Sequence, residues 1–196
     1  MIKSVIDDHH LRGRCTLAAN RALGITDKNT EIHRLPYELM NTSVELAKEL
    51  IVESLAFYIP KGIYDPCADK GNNLIAATEL GFKASGSDYN DSEHPYVIKE
   101  DLWVLDVDLT GQTVITILRW GTETGAEIPS YFEQVARLNP EVIINTMTPR
   151  EITQDMFGYE LVKRIQINPL KYVVLDGGII DRNKPYYACF WQKNSS

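Results

Sequence analysis

Residues 63–90 carry the pattern that most constrains this chain. A short apolar run, Ile63-Tyr64, ends in Asp65, and Pro66-Cys67-Ala68-Asp69-Lys70-Gly71 follows as a tight turn. Asn72 then opens a helical stretch to Leu80, with Gly81 placed as its C′ residue. A second strand-like run, Phe82–Ser87, ends in another acid, Asp88, followed by Tyr89-Asn90. An acid at one strand end, a turn opening a helix and a second acid at the next strand end suit a nucleoside-bearing ligand. The turn wraps such a ligand, and the second acid accepts its ribose hydroxyls.

The flanking sequence extends the same alternation. Thr42-Ser43-Val44-Glu45 reads as a capping box, with Val44, Ala47, Leu50, Ile51, Leu55 and Tyr58 at helical spacing behind it. Pro60-Lys61-Gly62 stops that helix. Residues 89–112 read mostly as loop, with an acidic insert at Asp91-Ser92-Glu93-His94. Thr113–Leu118 and Glu141–Thr146 are β-branched or apolar runs suited to buried strands. Ile128–Leu138 reads as a helix between them, and Pro149–Phe157 as a further helix. Lys171–Leu175 and Tyr186–Trp191 read as two strands of an antiparallel pair around Asp176-Gly177-Gly178. The fold class expected is α/β: a doubly wound, mostly parallel sheet with helices on both faces and a C-terminal antiparallel strand pair. Residues 1–40 read as an N-terminal arm or lid, and 41–196 as one domain.

Composition narrows the function classes. A chain of 196 residues suffices for one domain with a full core. No apolar run is long enough to span a bilayer, and the polar N-terminus lacks a secretion signal, so a cytoplasmic protein that does not bind membranes is expected. The three cysteines, Cys15, Cys67 and Cys189, form neither a disulfide framework nor a zinc pattern. His9-His10 beside Asp7-Asp8 lacks partners at ligand spacing, so no metal is expected; His33 and His94 read as isolated surface residues. The formal net charge of −7 argues against nucleic-acid binding by overall field. A local patch from Lys3, Arg12, Arg14 and Arg21, or from Lys163 with Arg164, would have to serve instead.

The order of these features resembles the Rossmann-like, S-adenosylmethionine (SAM)-dependent methyltransferases, and among them the phage-type amino-group (adenine) DNA methyltransferases. Asp65-Pro66-Cys67-Ala68-Asp69-Lys70-Gly71-Asn72 is similar to that family's first cofactor motif, with Asp69 in place of a Gly. Thr42-Ser43-Val44-Glu45-Leu46-Ala47 resembles its helix start, with Ser43 in place of Pro. Gly86-Ser87-Asp88-Tyr89-Asn90 resembles the second motif, Asp101-Leu102 the third, and Tyr187-Ala188-Cys189-Phe190-Trp191 the aromatic closing strand. The resemblance implies SAM as cofactor. It places Thr42, Asp65, Ala68 and Gly71 on the methionine side, Asp88 at the ribose and Asp101 with Leu102 at the adenine, with Asp69 and Tyr89 as further cofactor-binding candidates.

The chain departs from the family at the residues that do the chemistry. The family carries Asn/Asp-Pro-Pro-aromatic at the end of its fourth strand, where the polar residue orients the target amine. The aromatic residue stacks on the flipped base. Here Ile117-Leu118-Arg119-Trp120-Gly121 occupies that place, and only Trp120 and Gly121 match. Thr116 is available one position earlier, at the cost of the Trp match. Three readings stay open. The first is a methyltransferase of altered chemistry that meets its substrate with Trp120, Arg119 and Glu123, or Thr122. The second is a catalytically inactive binding or regulatory module working through a protein partner or a second copy. The third is a fold match without cofactor. By resemblance the substrate is a nucleic-acid base.

Overall fold

The computed structural model describes residues 40–116, 127–147, 155–167, 172–174 and 186–194. The expectations placed on residues 1–39 and on the turn Asp176-Gly177-Gly178 lie outside these residues. So do those placed on Arg119, Trp120, Thr122 and Glu123.

The central sheet runs in the order β4-β3-β2-β5-β6-β10-β8-β7 among the described residues. Its strands are β2 (Gly62–Asp65), β3 (Ala84–Asp88), β4 (Val97–Lys99), β5 (Gln112–Thr116), β6 (Val142–Met147), β7 (Asp155–Met156), β8 (Tyr159–Ile167) and β10 (Tyr186–Lys193). The five strands from β4 to β6 pair in parallel. β10 and β8 complete the sheet antiparallel, with β7 on the outer edge. A separate two-stranded ladder joins β1 (Met40–Thr42) to β9 (Tyr172–Val174). The expected fold class is therefore the observed one.

β2 is buried along its whole length because it lies inside the sheet with helices over both faces. On one face, α1 (Val44–Ser54) and α2 (Asn72–Glu79) bury Leu46, Ala47, Leu50, Ile51, Ala76 and Ala77 against Ile63, Ile115, Ile144 and Phe190. On the other, α3 (Glu127–Arg137) packs Tyr131, Phe132 and Val135 against Tyr64, Val114, Ile143 and Trp191. Each fully buried Leu, Ile or Phe here contributes roughly 1.5–3 kcal/mol by leaving water.

Several expectations need correction. The N-cap of α1 is Ser43, whose hydroxyl accepts from Leu46 N at 3.1 Å, and Thr42 belongs to β1. The shift by one residue leaves Glu45 in the first turn, where it favours the helix dipole without closing a capping box. Asp155–Met156 is a strand where a helix over 149–157 is expected; residues 148–154 are not among those described. The partners of 186–191 are β6 and β8, the latter a nine-residue strand absent from the sequence reading, and 172–174 pairs with Met40–Thr42. β4 also falls within the expected loop of 89–112.

Candidate functional site

The carboxyl ends of the parallel strands bring the predicted acids together. Asp65 ends β2, Asp88 ends β3, and Gly86 pairs with Asp65 across the two strands. The strands approach closely at that point. A Cβ on Gly86 would stand 2.5 Å from the Asp65 carbonyl oxygen, so glycine is the residue that fits.

The turn between β2 and α2 folds onto Asp88. Asp69 adopts φ +44°, in the left-handed region where the resembled motif has glycine. Asp reaches that region more cheaply than most residues, so the substitution leaves the turn formed. The Asp69 amide donates to Asp88 Oδ2 at 3.0 Å, and the Asn90 amide donates to Asp88 Oδ1 at 2.8 Å. Ala68 is buried beneath, its amide donating to the Ser87 carbonyl at 3.0 Å. Gly71, at φ +79°, is the N-cap of α2, and its amide closes the turn on Ala68 O at 2.7 Å.

Asp65 is only 1 % exposed. Its Oδ1 accepts from the Cys67 amide at 3.0 Å and its Oδ2 from Asn73 Nδ2 at 2.7 Å. Burial pushes its pKa up to about 7. The Cys67 amide, Asn73 and Thr116 oppose that rise, and the charge of Asp88 adds to it. Thr116 ends β5, buried; its hydroxyl has no well-formed hydrogen bond of its own but lies near enough to favour the Asp65 carboxylate. Beside it, Asn73 Oδ1 is buried without a hydrogen-bond partner. Asn145 on β6 accepts from Trp191 Nε1 at 2.7 Å, leaving its own Nδ2 unpartnered. Buried polar atoms left open at the strand ends are where a ligand or ordered water is expected to bind.

The remaining expected contacts surround this centre. Thr42 is buried at the end of β1, and its carbonyl accepts from Asn72 Nδ2 at 3.0 Å, which ties β1 to the start of α2. Tyr89 is exposed beyond Asp88. Asp101 Oδ1 caps its own turn by accepting from the Trp103 amide at 3.0 Å, while Leu102 is buried in the core under α3. Arg137 holds that turn in place, donating to the carbonyls of Leu102 at 3.2 Å and Leu105 at 2.9 Å. Sequence reasoning placed Asn72 at the end of the first motif but missed Asn73 and Arg137. Asn73 follows Asn72 at the helix start, a signal that could have found it; nothing local distinguishes Arg137.

Two other expectations change. His94 is half-buried, its ring seated against Gly71, where an isolated surface residue is expected. Lys163 pairs with Glu53 of α1, whereas Arg164 lies over the ring of Tyr187 at 5.7 Å. Adjacent strand residues point to opposite faces, so the two do not form one basic patch. Neither Cys67 nor Cys189 forms a disulfide among the described residues, and burial pushes the Cys189 thiol up to about 12. Among the described residues no cluster of His, Cys, Asp and Glu could hold a metal, and no helix is long and apolar enough to cross a membrane.

No protein-family model matches the sequence, and neither does any curated protein. Solved structures do match in shape. Magnesium protoporphyrin IX methyltransferase from Synechocystis PCC 6803, solved with bound SAM, superposes with a TM-score of 0.55 at 12 % identity, covering 99 % of this chain and 98 % of that one. The 1,6-didemethyltoxoflavin-N1-methyltransferase of Burkholderia thailandensis, solved with bound 1,6-didemethyltoxoflavin and S-adenosylhomocysteine, gives 0.55 at 10 % identity over 93 % and 87 % of the two chains. At such identities the likeness is one of fold, and the fold of this chain is that of the class I methyltransferases.

Proposed function

We propose that this chain is a SAM-dependent methyltransferase-like protein whose cofactor lies across the carboxyl ends of β2 and β3. The observation that carries the reading is the junction of Asp69 and Asp88. A left-handed turn before a helix delivers its amide to the acid that ends the next strand. The residues present suit the cofactor. A carboxylate accepts up to about four hydrogen bonds, so Asp88 is chemically equipped to receive ribose hydroxyls. The open Asn73 Oδ1 is an acceptor of the kind an ammonium group seeks. Thr42, Asp65, Ala68, Asp69 and Gly71 would border the methionine portion, Asp88 and Tyr89 the ribose, and Asp101 with Leu102 the adenine.

When bound, SAM supplies an electrophilic methyl group on a sulfonium. The work left to the protein is to orient a nucleophile and exclude water. By resemblance the acceptor would be met near Trp120; with the family's polar residue absent, Arg119, Thr122 or Glu123 would take up its contacts, and Glu123 would orient or deprotonate the nucleophile. The acceptor favoured by the resemblance is an amino group of a nucleic-acid base. The replacement of the amine-orienting residue by Ile117 favours a second reading, a module that binds cofactor and a protein partner without turnover.

Calorimetric titration with SAM and with S-adenosylhomocysteine tests the site. Micromolar binding, about −8 kcal/mol, that is lost in Asp88→Ala is the expected result. No binding at millimolar ligand would sink the cofactor assignment. Release of S-adenosylhomocysteine on mixing with base-containing acceptors separates the enzyme from the binding module.

A further inference from the structure

Residues 89–96 leave Asp88 and fold back over the turn that wraps the proposed ligand. The strap begins with the Asn90 amide on Asp88 Oδ1. Ser92 Oγ then donates to the Asp69 carbonyl at 2.6 Å, and the His94 amide donates to Ser92 Oγ at 3.2 Å. The His94 ring lies on Gly71, so closely that a Cβ at Gly71 would stand 2.6 Å from His94 Cγ and Cδ2. Tyr96 meets that ring edge-on at a centroid distance of 5.7 Å, and its amide donates to His94 Nδ1 at 3.3 Å. The far end is anchored to the sheet: Gly86 N donates to Tyr96 O at 3.0 Å, and Val97 N to His94 O at 3.1 Å. Lys99 pairs with Asp91 across the outside at 2.7 Å.

The strap therefore grips the turn at two points, Asp69 and Gly71, and the turn in turn grips Asp88. Asp88 is left 1 % exposed, with both carboxylate oxygens engaged by backbone amides. So little exposure leaves a ribose hydroxyl little room to approach Asp88 in this arrangement. We propose that residues 89–96 are a strap that holds the ligand turn shut, and that its lifting from Asp69 and Gly71 gates entry of a nucleoside ligand to Asp88. This rests on the reading of Asp88 as the ribose acceptor. A binding-competent form that is only a fraction of the population lowers apparent affinity by that fraction. Loosening the strap should then speed association and tighten binding together.

The test uses the full chain and two variants. Ser92→Ala removes one hydrogen bond to the turn, and His94→Ala removes the ring from Gly71. The first measurement is hydrogen exchange without ligand. Faster exchange of the Asp69 and Gly71 amides in both variants, at unchanged exchange in β5 and β6, is expected; unchanged exchange at those two amides overturns the strap. The second is stopped-flow association with S-adenosylhomocysteine. Association about three- to tenfold faster in the variants, with a lower Kd, is expected. Slower association or a higher Kd makes the strap a fixed wall of the site and overturns the gate, as does no change. If neither wild type nor variants bind S-adenosylhomocysteine, the cofactor reading fails and the gate fails with it, while the exchange result still decides whether the strap holds the turn. Ser92→Ala is the milder change, and it keeps the test intact if His94→Ala folds poorly.

Discussion

Gly71 and Asp69 are neighbours in one turn and reach the left-handed region by different means. Gly71 is held there by an absence, since a side chain would meet both the φ of +79° and the His94 ring. Gly71→Ala is expected to lower stability by about 2 kcal/mol, roughly half from the backbone and half from the ring. His94→Ala in the Gly71→Ala background should return the ring's share, measured as a coupling energy in a urea-denaturation double-mutant cycle. Additive losses would mean that the ring is not what confines Gly71. Asp65 gives a pH prediction. Its folded pKa, about 7, lies above the ordinary 3.8. The stability it lends is fully present below the lower value and is lost as pH rises through the upper one. Asp65→Asn removes that slope, so the variant should gain on wild type by a few kcal/mol at most between about pH 5 and about pH 8. A flat difference across that range would show that burial does not raise this carboxyl in solution.

At the scale of elements, the short parallel strands were legible because their sequences carry two signals at once. Ile63-Tyr64-Asp65 and Thr113–Thr116 are β-branched or aromatic runs bounded by turns, and helical periodicity separates them. β8 was not legible. Tyr159–Ile167 alternates half-buried Leu161, Lys163 and Ile165 with exposed Glu160, Val162, Arg164 and Gln166. A charged residue on each face blurs the period of two, and only pairing with β10 declares the strand. β10 depends on its neighbours in a way that can be measured. Trp191 is fully buried and donates to Asn145 on β6. Trp191→Phe leaves the Asn145 carbonyl without its donor and should cost about 1–3 kcal/mol. The checking measurement is the midpoint of guanidinium unfolding at unchanged m-value, and an unshifted midpoint would remove that bond from the account of how β10 is held.

For the whole molecule, the cofactor reading has a thermodynamic signature independent of turnover. A ligand that binds only the folded chain adds about 2.7 kcal/mol at a hundredfold excess over its Kd. A domain of this size gains roughly 2–4 °C in Tm per kcal/mol. S-adenosylhomocysteine should therefore raise the Tm by about 5–10 °C, and Asp88→Ala should abolish the rise. An equal rise in both proteins would place the ligand away from Asp88. The charge of −7 acts on the same scale. It opposes binding to polyanions at long range, and the opposed directions of Lys163 and Arg164 give no local exception within β8.

The alternating α/β plan and the two strand-end acids are legible in the residues alone. Both are written in local patterns: where apolar runs stop, where a turn needs positive φ, where a helix begins. Tertiary structure alone decided that Asp69 and Asp88, nineteen positions apart, share a hydrogen bond. It also seated His94 on Gly71, paired 172–174 with 40–42, and set Arg137 under the turn at Leu102. Each of these joins residues distant in the chain. No local propensity encodes such a contact, because its free energy arises only once the sheet has brought the two elements together.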